Sequence, residues 1–326
     1  EGEPEYDEGA PEDEPEGEPE YDDGALEDEP EGEPRYHHSA LEEDVAARLE
    51  AERVVEMAEQ DEAAPAPGRA EIDLGFYFRK DGVGTLYELS PLLSCEYRLI
   101  ENVALGLDWG FGFFNSSPDG AETSSAFVIG NPLLAAIWSS QQGRTLFRYG
   151  AGIVFPLSSV PAEGEPEQLT KSDAYYYASA LRGRFDHWLW LPEHGGVVLR
   201  GGGHMVSPDN IFLGGETALS ILIPSGDNRD KSASIYWQGA GEIGFGFGPG
   251  ELLFFDTVKM VARLQLVSIP VGEDDKLQVS LGPCGRAEIG KWFLDGNLLI
   301  NFDKPDGIFS DGRDIWGLQV GSGVVF

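Results

Sequence analysis

The sequence has few basic residues, few cysteines and no long apolar run. Its 326 residues include 22 Lys and Arg against 58 Asp and Glu, and its only cysteines are Cys95 and Cys284. Nucleic acids bind basic surfaces, so this charge balance excludes a nucleic-acid-binding protein. Cysteines outside any CxxC or histidine-rich spacing exclude a disulfide framework and structural zinc. The longest apolar runs, such as 133–138, are under half of the roughly 18 residues of a membrane helix, which excludes a helical membrane protein.

The negative charge is concentrated in the first 67 residues, which contain 27 acidic and three basic side chains. This part opens with three 15-residue units that begin at Glu1, Glu16 and Glu31 and combine acids with Pro and Gly. Because the units contain so few apolar side chains, they bury too little surface to offset the entropy of ordering. We therefore predict a disordered acidic region over residues 1–38.

Residues 39–68 form a second region with a different pattern. The Ser39-Ala40-Leu41-Glu42 spacing is that of a capping box, and it predicts an amphipathic helix over about 40–60, followed by a Pro-rich linker. The helix could dock on a partner or in a barrel mouth, or it could be a solvated spacer. The carboxylates of the tail lack the ligand order of an EF-hand loop, so we predict bulk electrostatics there and no metal or other cofactor.

From residue 69 onward, apolar side chains alternate with small or polar ones. In 103–114, for example, Val, Leu, Trp and Phe occupy the odd positions, and Gly, Ala and Asp occupy most of the even ones. This period of two indicates half-buried β-strands. We predict twelve of them, at about 70–79, 84–100, 103–114, 125–139, 144–157, 196–206, 210–224, 232–248, 254–269, 277–290, 291–303 and 314–326.

The alternation fits either a soluble sandwich or lipocalin-like barrel, or an outer-membrane barrel with its apolar face outward. Many of the strands have 10 to 17 residues, which is long for a sandwich. Tight connectors largely alternate with longer polar ones, and an even strand number returns both termini to one side. The polar face is also rich in Gly with mixed charges. These observations predict an all-β fold over 69–326, a 12-stranded antiparallel transmembrane β-barrel.

The last strand carries a resemblance to a known class of proteins. DIWGLQVGSGVVF ends in Phe326 and has apolar residues before it at Val324, Val320 and Leu318, although Ser322 departs from the alternation. It resembles the C-terminal signature of Gram-negative outer-membrane β-barrels. The resemblance implies that these four residues form an insertion signal that the outer-membrane assembly machinery reads. It also implies a lipid bilayer with lipopolysaccharide as the surroundings.

Two further segments resemble putative outer-membrane transporters of the phenol meta-degradation type. These are GNPLLAAIW from Gly130 and RYGAGIVFPLS from Arg148. The segments are short, and no substrate is carried over from the resemblance.

The odd and even positions of the strands assign charged side chains to the lumen. Acids and bases are roughly balanced there, so they could line a narrow path for a solute, or pair and fill the barrel. We found no arrangement typical of an enzyme: His204 faces inward with Ser207 nearby, and there is no G-x-S-x-G elbow. The predicted lumen-lining residues are Arg79, Glu88, Glu96, Arg98, Asp108, Arg148, Arg200, His204, Glu216, Glu242, Lys259, Arg263, Arg286, Glu288 and Asp295.

The fifth connector, 158–195, is the longest and contains many aromatic residues. We predict that it folds inward and constricts or caps the barrel through Tyr176, Trp188 and Trp190, although its aromatics could instead lie at the bilayer interface. The alternation places Cys95 on the outer face and Cys284 on the inner face, so no disulfide is expected between them.

The sequence therefore predicts a narrow channel or transporter for a small solute in the bacterial outer membrane, not an enzyme. Its N-terminal tail would lie in the periplasm. The alternative is a structural or scaffold barrel whose acidic tail recruits a periplasmic partner in an envelope complex.

Overall fold

The structure is a computed structural model that describes residues 68–81, 84–165, 167–226, 229, 231–248, 255–268, 277–302 and 315–326. The predictions for 1–38 and for 39–67 lie outside these residues. The described elements are strands β1 (Gly68–Asp81), β2 (Gly84–Ile100), β3 (Val103–Pro118), β4 (Ser124–Ile129), β5 (Leu133–Gln142), β6 (Thr145–Val154), β7 (His194–Val206), β8 (Ile211–Pro224), β9 (Ser234–Phe247), β10 (Thr257–Ser268), β11 (Leu277–Ile289), β12 (Trp292–Asn301) and β13 (Trp316–Val325), helix α1 (Gln168–Ala180) and a 3₁₀ turn (His187–Leu189).

The strands form one closed antiparallel barrel. From β5 to β13 each strand pairs with its neighbour in the chain, β13 pairs with β1, and β1, β2 and β3 continue the ring. Both β4 and β5 pair with β3, one after the other, so together they occupy a single position in the wall. The barrel therefore has twelve positions, and the predicted 12-stranded fold is confirmed.

The predicted strand 125–139 is the one that the structure divides. It is interrupted at Gly130, Asn131 and Pro132, where the backbone leaves the regular ladder. Pro132 has no N–H to donate to a neighbouring strand. The N–H of Asn131 instead donates to the carbonyl oxygen of Leu189 at 2.7 Å, which belongs to the fifth connector. The break thus creates an attachment point for that connector.

The apolar face of each strand points outward. On β8, Leu219 and Ile221 are 40% and 46% exposed, whereas Ser220 and Leu222 on the inner face are completely buried. Aromatic rings lie toward both ends of this outer belt, as in transmembrane barrels. They include Phe78, Tyr87, Phe113 and Phe155 toward one end, and Tyr97, Trp138, Tyr149 and Trp292 toward the other.

Tight turns join the strands at one end of the barrel, which we call the turn end. Gly143, Asn210 and Gly290 adopt positive φ there, at 60°, 60° and 57°. The first and last described residues also meet at this end, because the backbones of Gly68 and Phe326 exchange two hydrogen bonds of 2.8 and 2.9 Å. The longer connectors lie at the opposite end, the loop end. Which end faces the periplasm stays a prediction.

No helix among the described residues has both the length and the hydropathy needed to cross a bilayer.

The outward belt gives a first prediction. Leu219→Arg should destabilise the barrel by about 2–4 kcal/mol in lipid, because it places a charge on the lipid face near the middle of a strand. Urea unfolding in liposomes would measure this cost. Gln142→Arg, at an exposed turn-end position, is the matched control and should change the unfolding free energy little. Equal costs for the two variants would contradict the outward assignment of this face.

Candidate functional site: the plugged lumen

The connector between β6 and β7 folds into the barrel, and we call its described residues 158–165 and 167–193 the plug. It leaves β6 at the loop end, forms α1 and the 3₁₀ turn, and returns to β7 at the same end. The buried face of α1, which includes Ala174, Tyr177 and Ala178, lies against β2, β3 and β4. Because aromatic and aliphatic side chains fill the space between helix and wall, the loop-end half of the lumen is a dry core.

Beyond α1, the plug crosses the lumen to the opposite wall through residues 180–186, which we call the tip. Wall side chains from separate strands hold the carbonyl oxygens of the tip: Asn301 Nδ2 donates to Ala180 at 3.0 Å, and Gln319 Nε2 donates to Leu181 at 3.0 Å. Gln238 Oε1 accepts from the backbone N–H of Asp186 at 2.9 Å. Buried backbone groups that no ladder satisfies are thus paired by amide side chains of the wall.

Arg182 forms an ionic contact between the tip and the wall. Its Nη1 lies 3.0 Å from Asp73 Oδ2 on β1, and its Nη2 donates to the carbonyl oxygen of Ser90 on β2 at 3.3 Å. The Arg182 side chain is 7% exposed. A buried arginine without partners would be strongly unfavourable, so these contacts fix where the tip can lie.

The tip contains three residues with positive φ: Gly183 at 61°, Arg184 at 57° and Asp186 at 56°. For the two residues other than glycine, this conformation costs about 1–2 kcal/mol each. The hydrogen bonds from the wall compensate for this cost, so the conformation of the tip depends on contact with the wall.

Asn131, in the break between β4 and β5, holds the base of the plug. Its Nδ2 donates to the carbonyl oxygens of Trp188 at 3.1 Å and Leu191 at 2.8 Å. Its Oδ1 accepts from the backbone N–H and the hydroxyl of Ser158, at 2.9 and 2.7 Å. The sequence analysis missed this residue, although Gly-Asn-Pro inside a strand pattern was a signal of an interruption.

Glycines in the wall leave room for the plug. A Cβ at Gly110 would overlap the ring of Trp190, and a Cβ at Gly317 would overlap the carbonyl oxygen of Leu181. Trp188 and Trp190 are 2% and 1% exposed. The two tryptophans therefore fill the lumen and do not line an open passage. Tyr176 packs beside Tyr177 and below the guanidinium of Arg184.

The turn-end half of the lumen has a different chemistry, and we call it the vestibule. Its inner face carries ion pairs that span non-neighbouring strands: Arg148–Glu96, Arg200–Asp108 and Arg263–Glu216. Such pairs can form only on a shared inner face. The paired side chains keep between about 14% and 44% of their surface exposed, so this half is partly hydrated.

Small residues in the wall let these long side chains lie flat. The aliphatic part of Arg200 runs over Gly150, and its guanidinium lies over Gly106, before Nη1 reaches Asp108 Oδ2 at 3.1 Å. Glycine at both positions removes the side chains that would lift Arg200 from the wall.

The structure places the predicted lumen-lining residues on the inner face but brings only some of them together. In addition to the three pairs above, Glu242 contacts both Lys259 and Arg263, and Arg286 contacts both Glu288 and Asp295. His204 stacks on the ring of Phe212, and Arg98 leaves its Nη1 without a hydrogen-bond partner. Arg79 lies toward the loop end, and Glu88 faces the plug, apart from the vestibule pairs.

The structure also places the remaining predicted residues. Leu318 and Val320 lie on the outer face of β13, Val324 follows on the same strand, and Phe326 pairs with Gly68 at the turn end. Cys95 is exposed on the outer face. The Cys284 thiol faces inward and donates to Asn297 Oδ1 at 3.1 Å, and both cysteines are free.

Serine and histidine approach each other at one place that the sequence analysis did not consider. Ser179 Oγ lies 3.0 Å from His187 Nδ1, but this pair is inside the plug, with Ser179 2% exposed. Ser207, which was weighed with His204, instead accepts hydrogen bonds from the backbone N–H groups of Asp209 and Ile211 in its turn. Buried Ser179 lacks the access that a nucleophile needs, and the Ser207 hydroxyl is held by the backbone of its own turn.

The closed twelve-position barrel with its apolar outer belt is the fold of bacterial outer-membrane β-barrels, and solved structures of this class resemble it. One is an outer-membrane channel from Pseudomonas putida F1, with 10% identity over 81% of this chain and 98% of that chain and a TM-score of 0.51. Another is the β domain of the Bordetella autotransporter BrkA, with 10% identity over 80% and 100% of the chains and a TM-score of 0.46. At these identities the likeness concerns the fold alone. Searches of protein-family models and of curated proteins found no match.

The wall glycines provide a test of how tightly the plug is seated. Gly317→Ala should displace the tip, because the added Cβ meets a backbone carbonyl that cannot rotate away. Gly296→Ala, on the neighbouring strand, is the control, since its Cβ would meet open space. We expect faster amide hydrogen exchange in 180–186 only for Gly317→Ala. Unchanged exchange in that variant would show that the tip accommodates the methyl group without moving.

The plug should also respond to pH through Asp186. Burial raises the pKa of its carboxyl to about 6, and the negative charges of Asp108 and Glu216 add to this effect, while Arg200 and the hydrogen bond from Gln238 oppose it. Because the ordinary value is 3.8, ionisation disfavours the seated plug, and this penalty develops as pH rises from about 4 to 6. Amide hydrogen exchange in residues 180–186 should therefore accelerate between about pH 4 and 6 by more than the intrinsic pH dependence of exchange accounts for.

Asp186→Asn should remove that additional increase, because the amide keeps an acceptor for Gln238 but cannot ionise. Asp209→Asn, in an exposed turn, is the control and should retain it. The same excess increase in the Asp186→Asn protein would assign the effect to another group.

Proposed function

We propose that this protein is an outer-membrane channel that passes a small polar solute through the vestibule and past the plug. The observation that carries the proposal is the partly hydrated, charged inner face of the vestibule, which continues directly to the tip of the plug. A barrel that served only as a wall could be filled with apolar side chains throughout, whereas this half keeps charged side chains that are partly exposed.

The charges of the vestibule set no strong preference for the sign of a solute's charge. Cations and acids are nearly equal in number among the described inner-face residues of this half, so their fields largely cancel. A lumen of this kind should discriminate weakly between cations and anions. The cationic residues are Arg69, Arg98, Arg148, Arg200, Lys259, Arg263 and Arg286, and the acidic ones are Glu71, Asp73, Glu96, Asp108, Glu216, Glu242, Glu288 and Asp295.

Passage requires the plug to move. Both of its connections to the wall lie at the loop end, so it can withdraw through that end without breaking the strand ladder. The tip is the part that must release its contacts, which include hydrogen bonds, the ion pair of Arg182 and the packing of Phe185 against Arg263. Each of these contacts is weaker than the whole hydrogen-bond ladder of the barrel, so the tip can be released while the barrel stays closed. We therefore assign the closed state to the plugged arrangement.

A filled structural barrel is the second candidate function. This candidate is favoured by the burial of Trp188 and Trp190 and by the contacts around the tip, because together they form a stable core. In this case the lumen would stay closed, and the acidic tail would recruit a periplasmic partner. The proposed location in the outer membrane, with lipid and lipopolysaccharide around the apolar belt, is common to both candidates, and neither assigns an enzymatic activity.

Planar-bilayer recording of the full chain distinguishes the two functions. We expect discrete current steps in KCl and a reversal potential near zero under a salt gradient, since the vestibule charges balance. Replacing Trp188 and Trp190 together by Ala removes core packing worth about 3–5 kcal/mol at each site, so the open fraction should rise by at least tenfold. Leu169→Ala, at the most exposed plug position among the large apolar residues, is the control. Silence of the wild type and of the double variant would support the filled barrel.

A further inference from the structure

Glu88 on β2 is buried against the plug helix without a hydrogen-bonding partner. Glu88 is 2% exposed, and neither of its carboxylate oxygens has a hydrogen bond among the described residues. The vestibule acids, in contrast, have arginine or lysine partners. A buried carboxylate without a counter-charge is strongly unfavourable, so a role for Glu88 that a neutral side chain could not perform would explain its presence.

Aromatic rings flank Glu88 on both sides. In the strand register, Glu88 lies opposite Tyr77 on β1 and opposite Phe114 on β3. Both rings face inward and are 2% and 3% exposed. A carboxylate beside two aromatic rings can recognise an organic ammonium group, because the negative charge and the ring quadrupoles attract the same cation.

The plug helix covers this arrangement in the structure. The Tyr177 ring stacks on Tyr77 at 5.7 Å and on Phe114 at 5.5 Å, with interplanar angles of 18° and 20°. On the wall, Gly112 leaves the space that the carboxylate uses, since a Cβ there would lie 2.9 Å from Glu88 Oε1 and 3.7 Å from the Ala178 Cβ. Tyr177 thus occupies the position beside the two rings that a cationic ligand would take.

We infer that Tyr77, Glu88 and Phe114 form a lumenal binding site for the ammonium group of an organic cation, which Tyr177 covers when the plug is seated. The inference deepens the proposed function and rests on it for access to the lumen. Binding supplies the positive charge that Glu88 lacks in the plugged state. It therefore favours the displaced helix, and the class of solute that the channel recognises is a small organic amine.

The direct test is binding of tetramethylammonium chloride to the full-length protein, measured by isothermal titration calorimetry in detergent with sodium chloride as the matched salt. We expect saturable binding to the wild type. Glu88→Gln, which keeps the side-chain shape, and Phe114→Leu, which removes one ring, should each weaken binding about tenfold or more. Glu101→Gln, in an exposed turn, should bind as the wild type does.

Two results would overturn the inference: no binding of tetramethylammonium to the wild type, or unchanged binding to Glu88→Gln. The second result would leave the rings as an anchor for the plug. KCl currents of the same preparations, recorded without the amine, test the proposed channel function separately. Currents without amine binding would contradict only this site, whereas binding without currents would contradict only the channel.

Discussion

The structure depends on the closure of the sheet, because a closed barrel has an inner face that must be either packed or hydrated. With twelve positions in the wall, the lumen is wide enough to hold a helix and a turn. This chain uses both solutions. The loop-end half is packed by the plug, and the turn-end half is occupied by ion pairs that water reaches.

The two halves place different demands on the wall. Where the plug lies, the wall supplies buried amides such as Gln238 and Asn301 for its backbone, and glycines such as Gly110 and Gly317 for its volume. Where water enters, the wall supplies charged side chains that pair across several strands. Glu88 fits neither pattern, since it is an ionisable side chain in a dry environment, and this exception motivates the assignment of a ligand site.

Much of the barrel was predictable because a strand displays its environment every second residue. The alternation located the strands, the outer belt and the inner position of residues such as Arg200 and Glu242. The prediction of one strand over 125–139 was wrong. The strand is interrupted at Asn131, whose side chain forms hydrogen bonds with Ser158 and Leu191, and both of these residues are distant in the sequence. Likewise, the aromatics of the fifth connector indicated an inward fold, but their number did not reveal which wall each ring would meet.

The sequence by itself determined the fold class and the two faces of the wall, because strand periodicity is a local property of the chain. Only the tertiary structure decided that Arg182 would pair with Asp73, that Tyr177 would cover Glu88, and which acidic residues of the inner face would form ion pairs. These contacts join residues far apart in the chain whose proximity follows from barrel closure and from the path of the plug. No local pattern encodes that path, since it is set by the volume and the hydrogen bonds that the opposite wall offers.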